Sequence, residues 1–168
     1  RSWIDQSLRI TSDIRWVAFR PFPLAVSAEL ELLAGTPPAS LYSGLEESYV
    51  LSCSLEDPCW EGATARVIAL AHAADGDHRC ALEWSERSLR HCLRETDVYV
   101  GMHAAILATQ ADLALASGDD SASQASARSL ISLAARTHMD GYLARGLALL
   151  TNLTETMNRP ETGHDTAQ

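Results

Sequence analysis

The chain contains no lysine: all 13 of its basic residues are arginine. Schiff-base chemistry, a lysine general base and the lysine of a phosphate-binding loop are therefore excluded within these 168 residues. Basic charge is also in deficit, because 22 acidic residues give a formal net charge of -9 and a pI near 5.0. Such a field repels phosphate backbones and anionic lipid, which argues against direct nucleic-acid or membrane binding. Long apolar runs are missing, none approaching the ~20 residues that span a bilayer. The first residues lack the charged, apolar, small-residue order of a secretory signal, so a soluble, cytoplasmic chain is expected. Arg1 in place of a methionine points to a piece of a longer or processed polypeptide. Cysteines number only four, Cys53, Cys59, Cys80 and Cys92, which suggests buried free thiols rather than a disulfide framework. Strand formers are scarce as well, with Val and Ile totalling 12 residues.

Alanine and leucine fill that space, contributing 49 of the 168 residues, so the expected class is all-α. Arginine without lysine, together with the alanine excess, fits a high-GC bacterial coding sequence. Three glycines followed by cap-type residues punctuate the helical pattern, at Ala34-Gly35-Thr36, Asp75-Gly76-Asp77 and Ser117-Gly118-Asp119, spaced by 41 and 42 residues. The segments before them, AELELLAG, ALAHAADG and ADLALASG, form an internal repeat with a small residue seven positions before each glycine. Glycine suits the left-handed position that ends a helix and Asp or Thr caps the next, so each reads as the turn of an antiparallel helical hairpin. Asp57-Pro58 and Thr96-Asp97 supply further helix starts, while Pro37-Pro38 can open a helix but not lie inside one. Helices are expected at about 2–12, 21–34, 38–55, 58–74, 78–94, 98–117, 121–137 and 140–155, a single domain over 1–155 with a frayed tail at 156–168. Hairpins that cannot bury their faces alone must stack, which predicts a short right-handed solenoid.

Spacing offers little for chemistry. The histidines and cysteines form no C-x-x-C or H-E-x-x-H pattern, and Cys80 and Cys92 lie about 18 Å apart along one helix. His72 with Cys80, or His91 with His103, could approach across hairpins, but core packing and surface placement account for them as well, so no metal or other cofactor is expected. No nucleophile elbow or phosphate-cradling glycine loop is present, and the Glu46-Glu47 and Asp119-Asp120 pairs read as a solvated surface and a helix start. The chain is therefore expected not to be an enzyme. Arg87, Arg90, His91 and Arg94 make the one basic stripe, which reads as a solvated face with its own i,i+4 partners, Glu83 for Arg87 and Glu86 for Arg90. The four tryptophans, Trp3, Trp16, Trp60 and Trp84, read as filler between helices.

In stacked hairpins the first helix of each pair lines the concave face. Superposing the three hairpins on their glycines sets Glu29, Leu70 and Asp112 at one position and Ala25, Arg66 and Ala108 at another. The expected binding groove has Arg66 between the acids Glu29 and Asp112, with Tyr99 and His103 at its rim, sized for a peptide or small ligand. Ordinary surface ion pairs are the competing reading.

The second hairpin, with Ile68-Ala69, Gly76-Asp77, Ala81-Leu82 and Leu89, resembles the tetratricopeptide pattern, although Ala65, His72, Ser85 and Leu93 replace its tryptophan, aromatics and closing proline. Local strings carry a closer likeness: Arg20-Pro21-Phe22-Pro23, Glu29 through Gly35, Asp57 through Gly62, Asp97-Val98-Tyr99 and Leu133 through Thr137. These are similar to the tetratricopeptide-like C-terminal regions of large bacterial transcriptional activators of the LuxR and antibiotic-regulatory types, over most of residues 13–150. The resemblance implies a non-catalytic regulatory domain that senses a ligand or interacts with protein. Its partners would be a protein segment, a small-molecule inducer or other modules of the same polypeptide. A structural scaffold or homodimerisation module is the alternative, and a small enzyme using a histidine or cysteine pair the third.

Overall fold

A computed structural model of the chain describes residues 2–95 and 98–157, and it is all-helical over them. Eight α-helices follow one another: α1 (Ser2–Asp13), α2 (Pro21–Leu33), α3 (Tyr42–Ser54), α4 (Pro58–Ala74), α5 (His78–Cys92), α6 (Val100–Ala116), α7 (Asp120–Thr137) and α8 (Asp140–Met157). Short 3-10 turns at Val17–Phe19 and Pro38–Ser40 precede α2 and α3. The expected helix over 38–55 is thus divided, because the Pro37-Pro38 pair removes two backbone donors and only a tight 3-10 turn forms before Tyr42. Thr36 does not cap it; its hydroxyl turns back to Glu31 Oε2 at 2.7 Å. The proposed Thr96-Asp97 caps, and residues 158–168 of the expected tail, lie outside the described residues. Residues 156 and 157, placed with that tail by their composition, continue α8.

Local chemistry sets the boundaries. Asp57 caps α4 by accepting from Cys59 N and Trp60 N, with Pro58 at the first helical position. Gly35, Gly76 and Gly118 have φ of 84°, 82° and 79°, the left-handed region that L side chains rarely enter. At each, the residue after the glycine donates its N–H to the carbonyl five residues back: Thr36 to Glu31, Asp77 to His72 and Asp119 to Ala114. The glycine N–H itself reaches the carbonyl three back. This repeated pair of bonds satisfies the orphan carbonyls of the helix end and turns the chain the same way three times.

Each helix packs on its sequence neighbour, and α2, α4, α6 and α8 also touch in series, α2 on α4, α4 on α6, α6 on α8. The core between them is built from small residues: Ala65, Ala69, Ala71, Ala104, Ala111 and Ala127 are fully buried beside Ile106, Leu130 and Leu153. Small side chains permit close helix approach, and serines exploit it. Ser48 of α3 donates to Pro21 O, Ser88 of α5 to Gly62 O at 2.6 Å, and Ser123 of α7 to Ala111 O at 2.9 Å. In every hairpin a buried hydroxyl on the second helix therefore bonds a backbone carbonyl of the first, at a net gain of about 1 kcal/mol each. At Gly62 a Cβ would stand 3.4 Å from Ser88 O and 3.7 Å from Cys92 N, so the α5 backbone lies within van der Waals reach of this α4 position.

Two glycine substitutions separate conformation from packing. Neither Gly118 nor Gly44 has an atom within 4 Å of an added Cβ, but only Gly118 has positive φ. Gly118→Ala should destabilise by about 1 kcal/mol, and Gly44→Ala, within α3, should stabilise by up to about 0.5 kcal/mol. Urea denaturation of both variants, with opposite signs expected, checks the turn geometry.

Candidate functional site

The face formed by α2, α4, α6 and α8 carries a groove of about 510 Å³. Its walls come from those four helices alone, with Leu32 and Leu33 from α2, Leu70 and Ala74 from α4, Ala105 and Ala108 from α6, and Tyr142 from α8. A second cavity of about 410 Å³ adjoins it toward Phe22, Val26 and Met102, sharing Glu29, Arg66, Ala105 and Tyr142 with the first.

Equivalent positions on successive first helices mark three rungs in this groove. At the first, the Arg66 guanidinium holds the Glu29 carboxylate, with Nη1 at 3.0 Å from Oε1 and Nη2 at 2.6 and 2.7 Å from the two oxygens. This pair is largely withdrawn from solvent, the side chains being 15% and 28% exposed. The middle rung is apolar, Leu70 of α4 and Ala108 of α6 at the corresponding positions, both in the groove lining. The last is again ionic, Arg145 of α8 donating to Asp112 of α6, at a pair half open to water. The groove is thus apolar in its middle and zwitterionic at either end.

Glu29, Arg66 and Asp112, singled out from repeat register, all line this groove. Arg66 does not sit between the two acids, however. It engages Glu29, whereas the partner of Asp112 is Arg145. Arg145 carries no glycine register mark in the sequence, Glu155 standing ten residues beyond it where Gly76 stands ten beyond Arg66; its spacing of 33 from Asp112, near the 37 between Glu29 and Arg66, is the signal that could find it. Tyr99 and His103 are not brought to the groove. His103 lines a different cleft with Leu89, Leu107 and Arg136, between α5, α6 and α7. At 100° per residue it lies about 160° around α6 from Ala105, on the opposite face. Tyr99 precedes α6, and its carbonyl accepts the His103 N–H of the first turn.

The basic stripe of α5 also divides differently. Glu83 pairs with Arg79, not Arg87, and Arg87 lies over the Trp84 ring at 4.4 Å, a cation–π contact. Arg90 keeps its i,i+4 partner Glu86 at 3.8 Å. His91 and Arg94 turn inward to the buried Glu61 of α4: His91 Nδ1 stands 2.5 Å and Arg94 Nη1 2.7 Å from Oε2. Tyr49 completes the chain with its hydroxyl 2.8 Å from His91 Nε2. A neutral ring donating from Nδ1 and accepting the Tyr49 proton at Nε2 satisfies every group. Burial, joined by the nearby Arg94 and Arg87 cations, lowers the His91 pKa and outweighs the pull of Glu61. Burial likewise pushes the Cys59 and Cys92 thiols up to about 11, so both stay protonated at neutral pH.

The tryptophans separate into two kinds. Trp60 packs with Phe22 and Phe19, and Trp84 meets Tyr49 edge-on, both as inter-helix filler. Trp3 is 80% exposed and Trp16 51%, so the filler reading fails at the N-terminal end of the array, where they flank an apolar cleft with Ile10 and Phe19. No helix of the described residues is long and apolar enough to cross a membrane. No protein-family model matches the chain, and comparison with curated proteins returns no significant match.

Exposure ranks the two ionic rungs. Arg66→Ala should cost about 2 kcal/mol, the loss of charge-assisted bonds around a carboxylate that stays half-buried, whereas Arg145→Ala should cost less than about 1 kcal/mol. Equal effects in chemical denaturation would contradict the geometry. His91 carries a pH dependence. Because its folded pKa lies below the ordinary 6.5, the unfolded chain binds the proton first as pH falls. The stability it contributes is complete above about 6.5 and is lost progressively below. The fall in stability between pH 7.5 and 5.5 should therefore be shallower in His91→Gln than in the unsubstituted chain.

Proposed function

We propose that this chain is a non-catalytic, tetratricopeptide-like helical-repeat domain of a multidomain bacterial transcriptional regulator, its hairpins stacked as a short right-handed solenoid. It works in the cytoplasm and takes a protein segment or a small-molecule inducer in the α2/α4/α6/α8 groove. The observation that carries this reading is the groove itself: one continuous face drawn from four successive first helices, with an apolar middle and an ion pair at each end. That pattern suits an occupant with one apolar side chain flanked by polar or charged groups, a short peptide segment above all. The local strings of residues 13–150 that resemble the regulators' C-terminal regions support the context, and the net charge of -9 leaves DNA contact to other modules. An occupant that prefers one hairpin packing over another would shift the population of active regulator.

Ala105 lines both adjoining cavities and is partly open, so Ala105→Trp fills the groove without disturbing the buried core. Short peptides with an apolar residue between charged ones, including segments of the regulator's other modules, are selected against the domain by display and titrated by calorimetry. Saturable binding weakened at least about tenfold by Ala105→Trp, and reduced by Arg66→Ala, is expected. Absence of saturable binding, or binding indifferent to both substitutions, would sink the reading.

A second reading, homodimerisation, is favoured by one feature. Trp3, Ile10, Ile14, Trp16 and Val17 form an exposed apolar patch at α1 and the turn after it. If two copies pair there, the mass by light scattering rises toward a dimer with concentration and Trp3→Ser/Trp16→Ser abolishes the rise; a constant monomer mass removes this reading.

A further inference from the structure

The turn between α4 and α5 carries a group of side chains that neither the groove nor the core uses. His72 in the last turn of α4, Asp77 at the cap of α5 and Cys80 in its first turn each present one ligand atom, and these atoms all lie within 4.8 Å of one another. They face away from the groove, being about 200° around α4 from Leu70 in the case of His72. The backbone fixes two of the three, since the Asp77 N–H bonds the His72 carbonyl at 2.9 Å across Gly76. Asp77 divides its oxygens: Oδ1 accepts the Cys80 N–H at 3.0 Å and caps the helix, while Oδ2 is left 4.0 Å from His72 Nδ1. Tyr42 of α3 packs against the imidazole with its ring tilted by 41° at 5.0 Å between centroids, and its hydroxyl lies 3.5 Å from His72 Nδ1.

We propose that His72 Nδ1, Asp77 Oδ2 and Cys80 Sγ bind a divalent transition-metal ion of the zinc class, with its fourth position open to solvent. Imidazole, carboxylate and thiolate are the donor set for a borderline-soft tetrahedral ion. Bond lengths of about 2.0 to 2.3 Å require donor–donor separations of about 3.3 to 3.8 Å. The present separations, up to 4.8 Å, exceed these by at most about 1.5 Å, which the ion would close by drawing the side chains together. The Asp77 carboxylate beside it raises the Cys80 thiol above its ordinary pKa, and Arg79 Nη2 approaches the sulfur at 3.7 Å. Between thiol and carboxylate, an ion neutralises the second and takes the first as thiolate, releasing its proton to solvent. Capping alone does not demand these residues. In the third hairpin Asp119 accepts the Ala122 N–H in the same way, with Ala114 and Ala122 where His72 and Cys80 stand in the second. That correspondence also makes alanine at either position compatible with the fold.

The test is titration of the reduced chain with Co²⁺, followed by its thiolate-to-metal absorption band and then by displacement with Zn²⁺. One equivalent is expected, with affinity falling at least about tenfold in His72→Ala, Cys80→Ala and Asp77→Asn, the last of which keeps a side-chain cap. Binding should also raise the thermal midpoint of the unsubstituted chain and not of Cys80→Ala. No band at millimolar Co²⁺, or a band unchanged in Cys80→Ala and therefore due to Cys53, Cys59 or Cys92, overturns the proposal. Loss in Cys80→Ala alone, with His72→Ala and Asp77→Asn unaffected, reduces the site to a single thiol and overturns it equally. The site and the groove lie on opposite faces of α4, so neither result bears on the other.

Discussion

Register between the hairpins rests on a backbone conformation that a side chain makes costly. With left-handed φ at Gly35, Gly76 and Gly118, each first helix ends in the same pair of hydrogen bonds and the next begins at the same angle. Positions counted back from each glycine then fall at equivalent places, which is why Glu29, Leu70 and Asp112 all reach one groove. The same turn, by joining the Asp77 N–H to the His72 carbonyl, sets an imidazole beside a capping carboxylate. Two unrelated surfaces of the molecule thus inherit their geometry from one local constraint.

Smallness is the second theme. Fully buried alanines on α4 and α6 let neighbouring helices approach until a serine hydroxyl meets a facing carbonyl, and every buried side-chain nitrogen or oxygen among the described residues has a partner. Where a charge is buried, at Glu61, the array surrounds it: His91 and Arg94 from α5 converge on one carboxylate oxygen and Tyr49 from α3 completes the chain. A polar network of this kind ties three helices at one point, and its strength depends on all its members being satisfied together.

Much of the helical layout was legible because its signals are local. Asp57-Pro58 and the three glycine turns place helix ends within a residue or two, since capping and positive φ depend on neighbours in sequence. Repeat register carried Glu29, Arg66 and Asp112 to the groove for the same reason. It does not reach Arg145, since no glycine stands ten residues beyond it as Gly76 stands beyond Arg66, nor does it govern Tyr99 and His103, and the angle around α6 turns His103 to the opposite face. Arg79 in place of Arg87 as the partner of Glu83 reflects a rotamer choice, since both lie four residues away and Trp84 captures the second guanidinium. Of the His72, Asp77 and Cys80 group the sequence shows a histidine and a cysteine, while Asp77 reads as a cap; the cap uses only one of the two carboxylate oxygens. Trp3 and Trp16 misled because composition cannot distinguish an end helix, which lacks a neighbour on one side, from an inner one.

The rungs of the groove have a consequence for how such a domain changes over generations. Each rung is set by one position on each of two successive first helices, so its character can be rewritten from ionic to apolar by two codons, at positions separate from the serine contacts. Duplication of one unit of 41 or 42 residues would add a rung and leave the others as they were. The face therefore behaves as a short text with one letter per repeat, editable by point mutation and extensible by recombination.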